Sequence, residues 1–247
     1  MRNGPGGISR CVAMALCLQA ALWPLAPVVS LAAVPMVQAS GVFINMRGDV
    51  LTARHAVSDC PSLFVVKNGQ VAPATVLAIS NEADVAVLHT SLKPLLAATF
   101  SELPAPSDHS IAVFSEAYAE LQRLPDRARL LGNALTVPGQ PGSLQMVSGA
   151  KPGTSGSAVL DGGGLLLGIV VERVAAGSGG SGAELSAAHM AGRMGMATLV
   201  RAVPANGIKQ FLRQAAVPYA ESRVAQIGTL QSPASRASTL AVGIVCG

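Results

Sequence analysis

Short runs in which apolar and polar positions alternate dominate the chain from about residue 40 onward, and a period of two predicts strands rather than helices. Val42-Phe43-Ile44 and Val50-Leu51-Thr52 flank Met46-Arg47-Gly48, which predicts a β-hairpin. The same reading predicts strands at Ser62–Val66, Val71–Ile79, Asp84–His89, Leu130–Val137, Leu144–Val147, Ala158–Leu160, Leu165–Glu172, Met194–Val200 and Leu240–Val245. Asn68-Gly69 marks a tight hairpin, and Asp161–Gly164 a turn. Only Pro204–Gln214, after Val203, carries the spacing of a helix. The expected body is all-β.

The first residues follow a different pattern. Arg2 and Arg10 lie in residues 1–10, and the 24 residues 11–34 carry no charge, which reads as the basic and apolar parts of a secretory signal. Ser30-Leu31-Ala32 suits a signal peptidase, although Pro24 and Pro27 interrupt the apolar run and the segment is long enough to stay as a membrane anchor. Cleavage is the preferred reading. Residues 1–32 are then a targeting segment, and the expected location is periplasmic or secreted, with membrane contact only if that segment is retained.

Composition narrows the function classes. The chain is 12% charged and 3% aromatic, with a net charge of +4, so it offers neither a basic stripe nor stacking platforms, and no nucleic-acid partner is expected. His89, His109 and His189 are scattered, with no pair at metal-ligand spacing, so no metal site is expected. Asp108-His109 lies in the Pro/Ser-rich segment Ser101–Ser110 and reads as a connection. The Gly/Ser run Gly177–Gly182 has neither the Lys-Ser/Thr sequel nor the following helix of a phosphate cradle.

The informative chemistry lies at three places. Ser155 sits in Gly153-Thr154-Ser155-Gly156-Ser157, a turn leading into the apolar run Ala158-Val159-Leu160. His55 sits just beyond the strand of Leu51-Thr52, where a rigid element would hold a base in place. Asp84 opens Asp84-Val85-Ala86-Val87-Leu88, where its carboxylate is drawn toward the interior and can accept from an imidazole. A buried carboxylate, an imidazole and a hydroxyl in hydrogen-bond series form a nucleophile with its base and orienting group. Gly153 and Gly156 allow a turn tight enough for two N–H groups, those of Gly153 and Ser155, to converge on a developing oxyanion. Gly156 is further expected to leave room for a substrate carbonyl. The plain alternatives are a Gly-Ser turn joining two strands and a strand-entry Asp.

The order His, Asp, Ser along the chain, with these motifs, resembles the chymotrypsin-like serine peptidases of the bacterial, HtrA-like type. The resembling stretches are Ser40–Ile44 leading to Leu51–Val57, then Asp84–Leu88, then Pro152–Leu160 followed by Leu167–Val170, and finally Ala202–Asn206 before Ile208–Leu212. Together they span roughly residues 40–214. The resemblance implies two six-stranded antiparallel β-barrels, at about 40–105 and 110–203, with a C-terminal helix at 204–214 inside a peptidase domain of 33–217 and a tail of 218–247. About 215 residues after cleavage leave no room for an appended peptide-binding (PDZ) domain.

The implied activity is that of an exported serine endopeptidase without cofactor, acting on a protein or peptide substrate through His55, Asp84 and Ser155. By offset from Ser155 the resemblance also implies that Gly149 lies at the base of the substrate pocket. Val170, Val171, Glu172 and Arg173 should pair with the substrate backbone as an added strand. Gly149 and Val170 carry no charge, which favours a small or medium apolar side chain before the cleaved bond. Two features depart from the family pattern. Arg54 stands where a small residue or Asn commonly precedes the His, and the stretch Ala175–Gly192 inserts after the cleft strand. These could hold the site closed, so a catalytically silent barrel used as a binding module is the alternative.

Cys11 and Cys17 leave with a cleaved signal, so Cys60 and Cys246 remain as a disulfide candidate in an oxidising compartment, with two free thiols as the alternative. Some bacterial trypsin-like peptidases are similar in having one Cys shortly after the His and another near the C-terminus. Such a bond would pin the tail through the strand Leu240–Val245.

Overall fold

The computed structural model describes residues 36–174 and 198–247; residues 1–35, which hold the expected targeting segment, and 175–197, which hold the expected insertion, lie outside the described residues. The described chain is built mainly of strands. They are β1 (Ala39–Phe43), β2 (Asp49–Thr52), β3 (Leu63–Lys67), β4 (Gln70–Ile79), β5 (Ala86–Thr90), β6 (Thr99–Ser101), β7 (Ala112–Val113), β8 (Ala134–Val137), β9 (Leu144–Ser148), β10 (Ala158–Leu160), β11 (Leu166–Val174), β12 (Thr198–Pro204), β13 (Ala220–Ser222) and β14 (Ala241–Cys246). Three helices accompany them: α1 (Tyr118–Arg123), α2 (Ala205–Gln214) and α3 (Pro233–Leu240).

The first barrel closes in the order β1-β14-β3-β4-β5-β2. Its sixth strand is therefore the last strand of the chain. β14 enters between β1 and β3, antiparallel to both, with Ser40 opposite Gly243 on one side and Val245 opposite Phe64 on the other. The stretch expected as a tail beyond the peptidase domain is a wall of its N-terminal barrel. The Asn68-Gly69 hairpin between β3 and β4 forms as expected, with both residues at positive φ.

The second sheet has eight strands and is curled, with six of them tracing a ring, β10-β11-β12-β9-β8-β7. A single pair of residues joins the ends: Phe114 and Leu160 exchange N–H···O=C bonds of 2.8 and 2.9 Å. The sequence-based expectation of two full barrels is met by one closed barrel and one curled sheet. Only three residues of β10 and two of β7 are available to complete the second ladder. β6 and β13 extend the sheet in parallel pairing, and both are too short to show a period in the sequence.

The packing explains why several strands read as continuous apolar runs. In β1, β2, β5 and β14 one set of alternate side chains, including Phe43, Val50, Leu88, Val242 and Ile244, fills the first barrel. The other set, including Val42, Leu51, Val87 and Ala241, joins a shared core with Leu160, Leu166 and Ile169 of the second sheet. Both faces are buried, so both carry apolar residues. In α2, Ala205, Ile208, Phe211 and Leu212 form one buried stripe against that shared core. Helix α3 was not visible as a strand or tail pattern. Its signal is Ser232-Pro233, a side-chain cap accepting from the Ser235 N–H at 3.1 Å, followed by Pro in the first turn.

Lys67, at the end of β3, holds the passage from α3 into β14. Its Nζ donates to the carbonyls of Ser238, Thr239 and Ala241 at 2.8, 2.8 and 2.7 Å. Burial pulls the ammonium down to about 8, while three acceptors at the negative end of a helix favour the charged form. Lys67→Met removes the donor from all three carbonyls. The expected loss is about 3 kcal/mol, read as a fall of roughly 6–12 °C in Tm by calorimetry, whereas Lys67→Arg should recover part of it.

Candidate active site

Each side chain of the expected constellation is delivered by the end of a strand. β2 stops at Thr52, and a single 3₁₀ turn, Arg54–Ala56, carries His55. Asp84 lies just before β5, and its carboxylate accepts from the His55 backbone N–H at 2.9 Å. Its other oxygen, Oδ2, lies 2.6 Å from His55 Nδ1. On the far side of the ring, His55 Nε2 lies 3.0 Å from Ser155 Oγ. The three residues singled out in the sequence therefore meet in one line. Asp84 retains 28% side-chain exposure, less sheltered than its apolar neighbours suggested.

The turn that carries Ser155 comes from the second sheet but is fastened to the first barrel. The Ser40 N–H donates to the Ser155 carbonyl at 2.8 Å, and Ser40 Oγ donates to the Gly153 carbonyl at 2.8 Å. The same oxygen accepts from the Tyr118 N–H at 2.9 Å, and Thr52 Oγ donates to the Ser40 carbonyl at 2.7 Å. Ser40 and Thr52 are both fully buried. Neither was singled out in the sequence, although a buried hydroxyl inside an apolar run, as in Ser40-Gly41-Val42, is the signal that could have found them.

Gly156 has a different task from the one expected. It sits at φ +84°, and a Cβ there would lie 1.9 Å from the Ser40 carbonyl oxygen and 2.5 Å from Thr52 Oγ. Its missing side chain lets the turn press against β1 instead of clearing space for a substrate. Its N–H donates to the Val170 carbonyl at 2.7 Å, and the Val170 N–H donates to the Ser157 carbonyl at 3.0 Å, so the turn is also sewn to β11. Gly153 adopts φ +87°. The N–H groups of Thr154, Gly156 and Ser157 all have backbone acceptors, whereas those of Gly153 and Ser155 have none among the described residues. Two unpartnered amides on either side of Thr154 are a costly arrangement unless something else accepts from them.

Arg54 is drawn aside. Its Nη1 donates to the Ser80 carbonyl at 2.9 Å, and its Nε lies 4.0 Å from Asp84 Oδ1. Among the described residues no group of His, Cys, Asp and Glu side chains gathers as metal ligands would.

The residues expected to bind substrate separate into two kinds. Val170 is 1% exposed and packs inside the second sheet with Leu167 and Val200, so its side chain cannot line a pocket. Val171 is half-buried, and Glu172 and Arg173 are exposed. Gly149 is exposed and has open space where a Cβ would stand. The expectation built on Val170 as an uncharged wall is thus overturned by its burial. The cysteines lie where the pairing requires: Cys60 and Cys246 form a disulfide with Cα atoms 5.3 Å apart.

A family model for the trypsin-like peptidase domain matches residues 39–169, which run from β1 through the turn of Ser155 into β11. The chain belongs to the trypsin-like peptidase family. No curated protein matches this peptidase in sequence. Among solved structures, the peptidase is similar to Rv3671c of M. tuberculosis H37Rv, a Ser-to-Ala mutant in an inactive form. That match has 17% identity and a TM-score of 0.50, and covers 73% of this chain and 82% of that one. It is also similar to the HtrA-type protease AlgW solved with a tripeptide, at 21% identity and a TM-score of 0.49, covering 72% of this chain and 55% of that one. At these identities the likeness is one of fold. The chymotrypsin-like architecture of one closed barrel beside a curled sheet, with His55 and Asp84 on the first and Ser155 on the second, is the frame in which this trypsin-like peptidase works.

Proposed function

We propose that the protein is an exported serine endopeptidase that cleaves peptide bonds through an acyl-enzyme at Ser155. The observation that carries this reading is the position of His55, with one ring nitrogen 2.6 Å from Asp84 and the other 3.0 Å from Ser155 Oγ. Asp84 accepts from Nδ1–H and so leaves the Nε2 lone pair facing the hydroxyl, which is the tautomer a general base needs. As Oγ attacks the scissile carbonyl, His55 Nε2 takes its proton and Asp84 stabilises the imidazolium. The Gly153 and Ser155 N–H groups, free of backbone acceptors, would receive the oxyanion. His55 then returns the proton to the leaving amine, and water hydrolyses the acyl-enzyme by the same steps in reverse. Export is supported by the Cys60–Cys246 disulfide, which persists in oxidising compartments.

The test is Asp84→Asn. An amide keeps the size of the side chain but presents the wrong hydrogen-bonding group to Nδ1, so kcat on a fluorogenic peptide should fall roughly 10⁴-fold with KM little changed. Hydrolysis by Asp84→Asn at the wild-type rate would contradict the reading.

A further inference from the structure

β11, the strand hydrogen-bonded to the turn of Ser155, carries a cation in an unusual setting. β11 is stitched to the turn at Val170 and then bulges: its pairing with β12 passes from Val170 opposite Ala202 directly to Glu172 opposite Arg201, so Val171 is an extra residue. Bulges beside active sites re-aim the side chains that follow. Here Glu172 and Arg173 are both exposed before Val174 returns to a buried position.

The two charges that follow the bulge have different fates. Glu172 is taken by Arg201 of β12, with Oε2 to Nη1 at 3.3 Å. Arg173 instead reaches away from its own strand to the segment preceding Ser155, where Nη1 donates to the Ala150 carbonyl at 3.4 Å. It has no carboxylate within ion-pair distance among the described residues. The neighbouring cation, Lys151, is neutralised by Glu120 at 2.7 Å. Arg173 is thus a guanidinium with spare donors, lying between β11 and residues 149–150. At Gly149, next in sequence to Ala150, no atom lies within 4 Å of where a Cβ would stand. At about 3.3 Å per residue, Arg173 is roughly 10 Å along the strand from Val170, which is bonded to the turn of Ser155.

We propose that Arg173 makes this site select substrates with an acidic side chain, Asp or Glu, immediately before the cleaved bond. The inference rests on Ser155 as the nucleophile and on the expectation that Gly149, six residues before it, forms the base of the pocket for that side chain. A carboxylate entering beside Gly149 meets a planar fork of donors that no carboxylate of the described residues occupies, and such a pair is both charge-assisted and bidentate. The Arg173 side chain spanning to Ala150 also shortens the space, which disfavours large aromatic residues. The uncharged, apolar preference expected from the sequence relied on Gly149 and Val170, and the Val170 side chain is inside the core.

A binding measurement tests this without requiring turnover. Fluorescein-labelled decapeptides identical except for Glu or Gln at that position are titrated by polarisation against the full chain carrying Ser155→Ala. The Glu peptide should bind at least about tenfold more tightly. In Ser155→Ala/Arg173→Ala the ratio should fall to near one, and in Ser155→Ala/Arg173→Glu a Lys peptide should overtake the Glu peptide. Equal affinities for Glu and Gln, or a Glu preference that survives Arg173→Ala, would overturn the proposal. Hydrolysis of the same peptides by wild type separates this result from the reading beneath it. Turnover without Glu preference removes the specificity alone, and Glu-selective binding without turnover keeps the specificity and removes the peptidase.

Discussion

A chain ending at Leu240 should not fold. It lacks only β14 and Gly247, yet β14 supplies one of the six staves of the first barrel and both of its ladders. Val242 and Ile244 fill the barrel interior at 0% and 1% exposure. Burial of two such side chains is worth about 3–6 kcal/mol. The hydrogen bonds of two antiparallel ladders are lost with them, and β1 and β3 are left as open edges. The disulfide from Cys60 to Cys246 spans 186 residues and in the chain-entropy model contributes about 5 kcal/mol more. Together these rival the whole stability of a domain, about 5–15 kcal/mol.

The damage would also reach the chemistry, because Gly243 pairs with Ser40, and Ser40 holds the Ser155 and Gly153 carbonyls. We expect the truncated chain to be insoluble or to lack a cooperative thermal transition, and a synthetic peptide of residues 241–247 supplied during refolding to restore part of it. A truncated chain that melts cooperatively at the wild-type temperature would show that the barrel closes without its last strand.

Ser155→Ala should have the opposite signature, abolishing activity and sparing the fold. The hydroxyl is half-buried, and its partner is His55 Nε2 at 3.0 Å; the turn itself is held by backbone groups and by Ser40. Removing one oxygen there should move Tm by no more than about 2 °C. In kcat the loss should be roughly 10⁶-fold, because nucleophile, base and carboxylate act as a unit. For the same reason Ser155→Ala/His55→Ala should be no slower than Ser155→Ala alone. Fluorogenic peptide hydrolysis and calorimetry on the same preparations check both halves. A large fall in Tm would mark Ser155 as a structural turn residue.

The strands and the triad candidates were legible because their signals are local. His55, Asp84 and Ser155 each stand at the end of an apolar run, and strand ends fix where side chains point. Asn68-Gly69 named its own turn, since both residues take positive φ. What stayed hidden depends on partners distant in sequence. Leu240–Val245 read correctly as a strand, but nothing in its own residues says that it lies between β1 and β3. Gly156 looked like a glycine beside a substrate, whereas its constraint comes from the Ser40 carbonyl across the molecule. The exposure of both Glu172 and Arg173 was hidden because one extra residue, Val171, shifts the register of β11, and a bulge leaves no mark in an apolar-polar pattern.

The central claim is that His55 and Asp84 activate the hydroxyl of Ser155. Its most direct measurement is intact-mass and peptide-mapping analysis of the full chain after exposure to an uncharged alkyl fluorophosphonate, which reacts with an activated serine and not with an ordinary one. The account predicts a single adduct on Ser155 in wild type, none in Ser155→Ala, and strongly slowed labelling in Asp84→Asn. A well-folded wild type that acquires no adduct would contradict it and leave a trypsin-like barrel that binds without cutting.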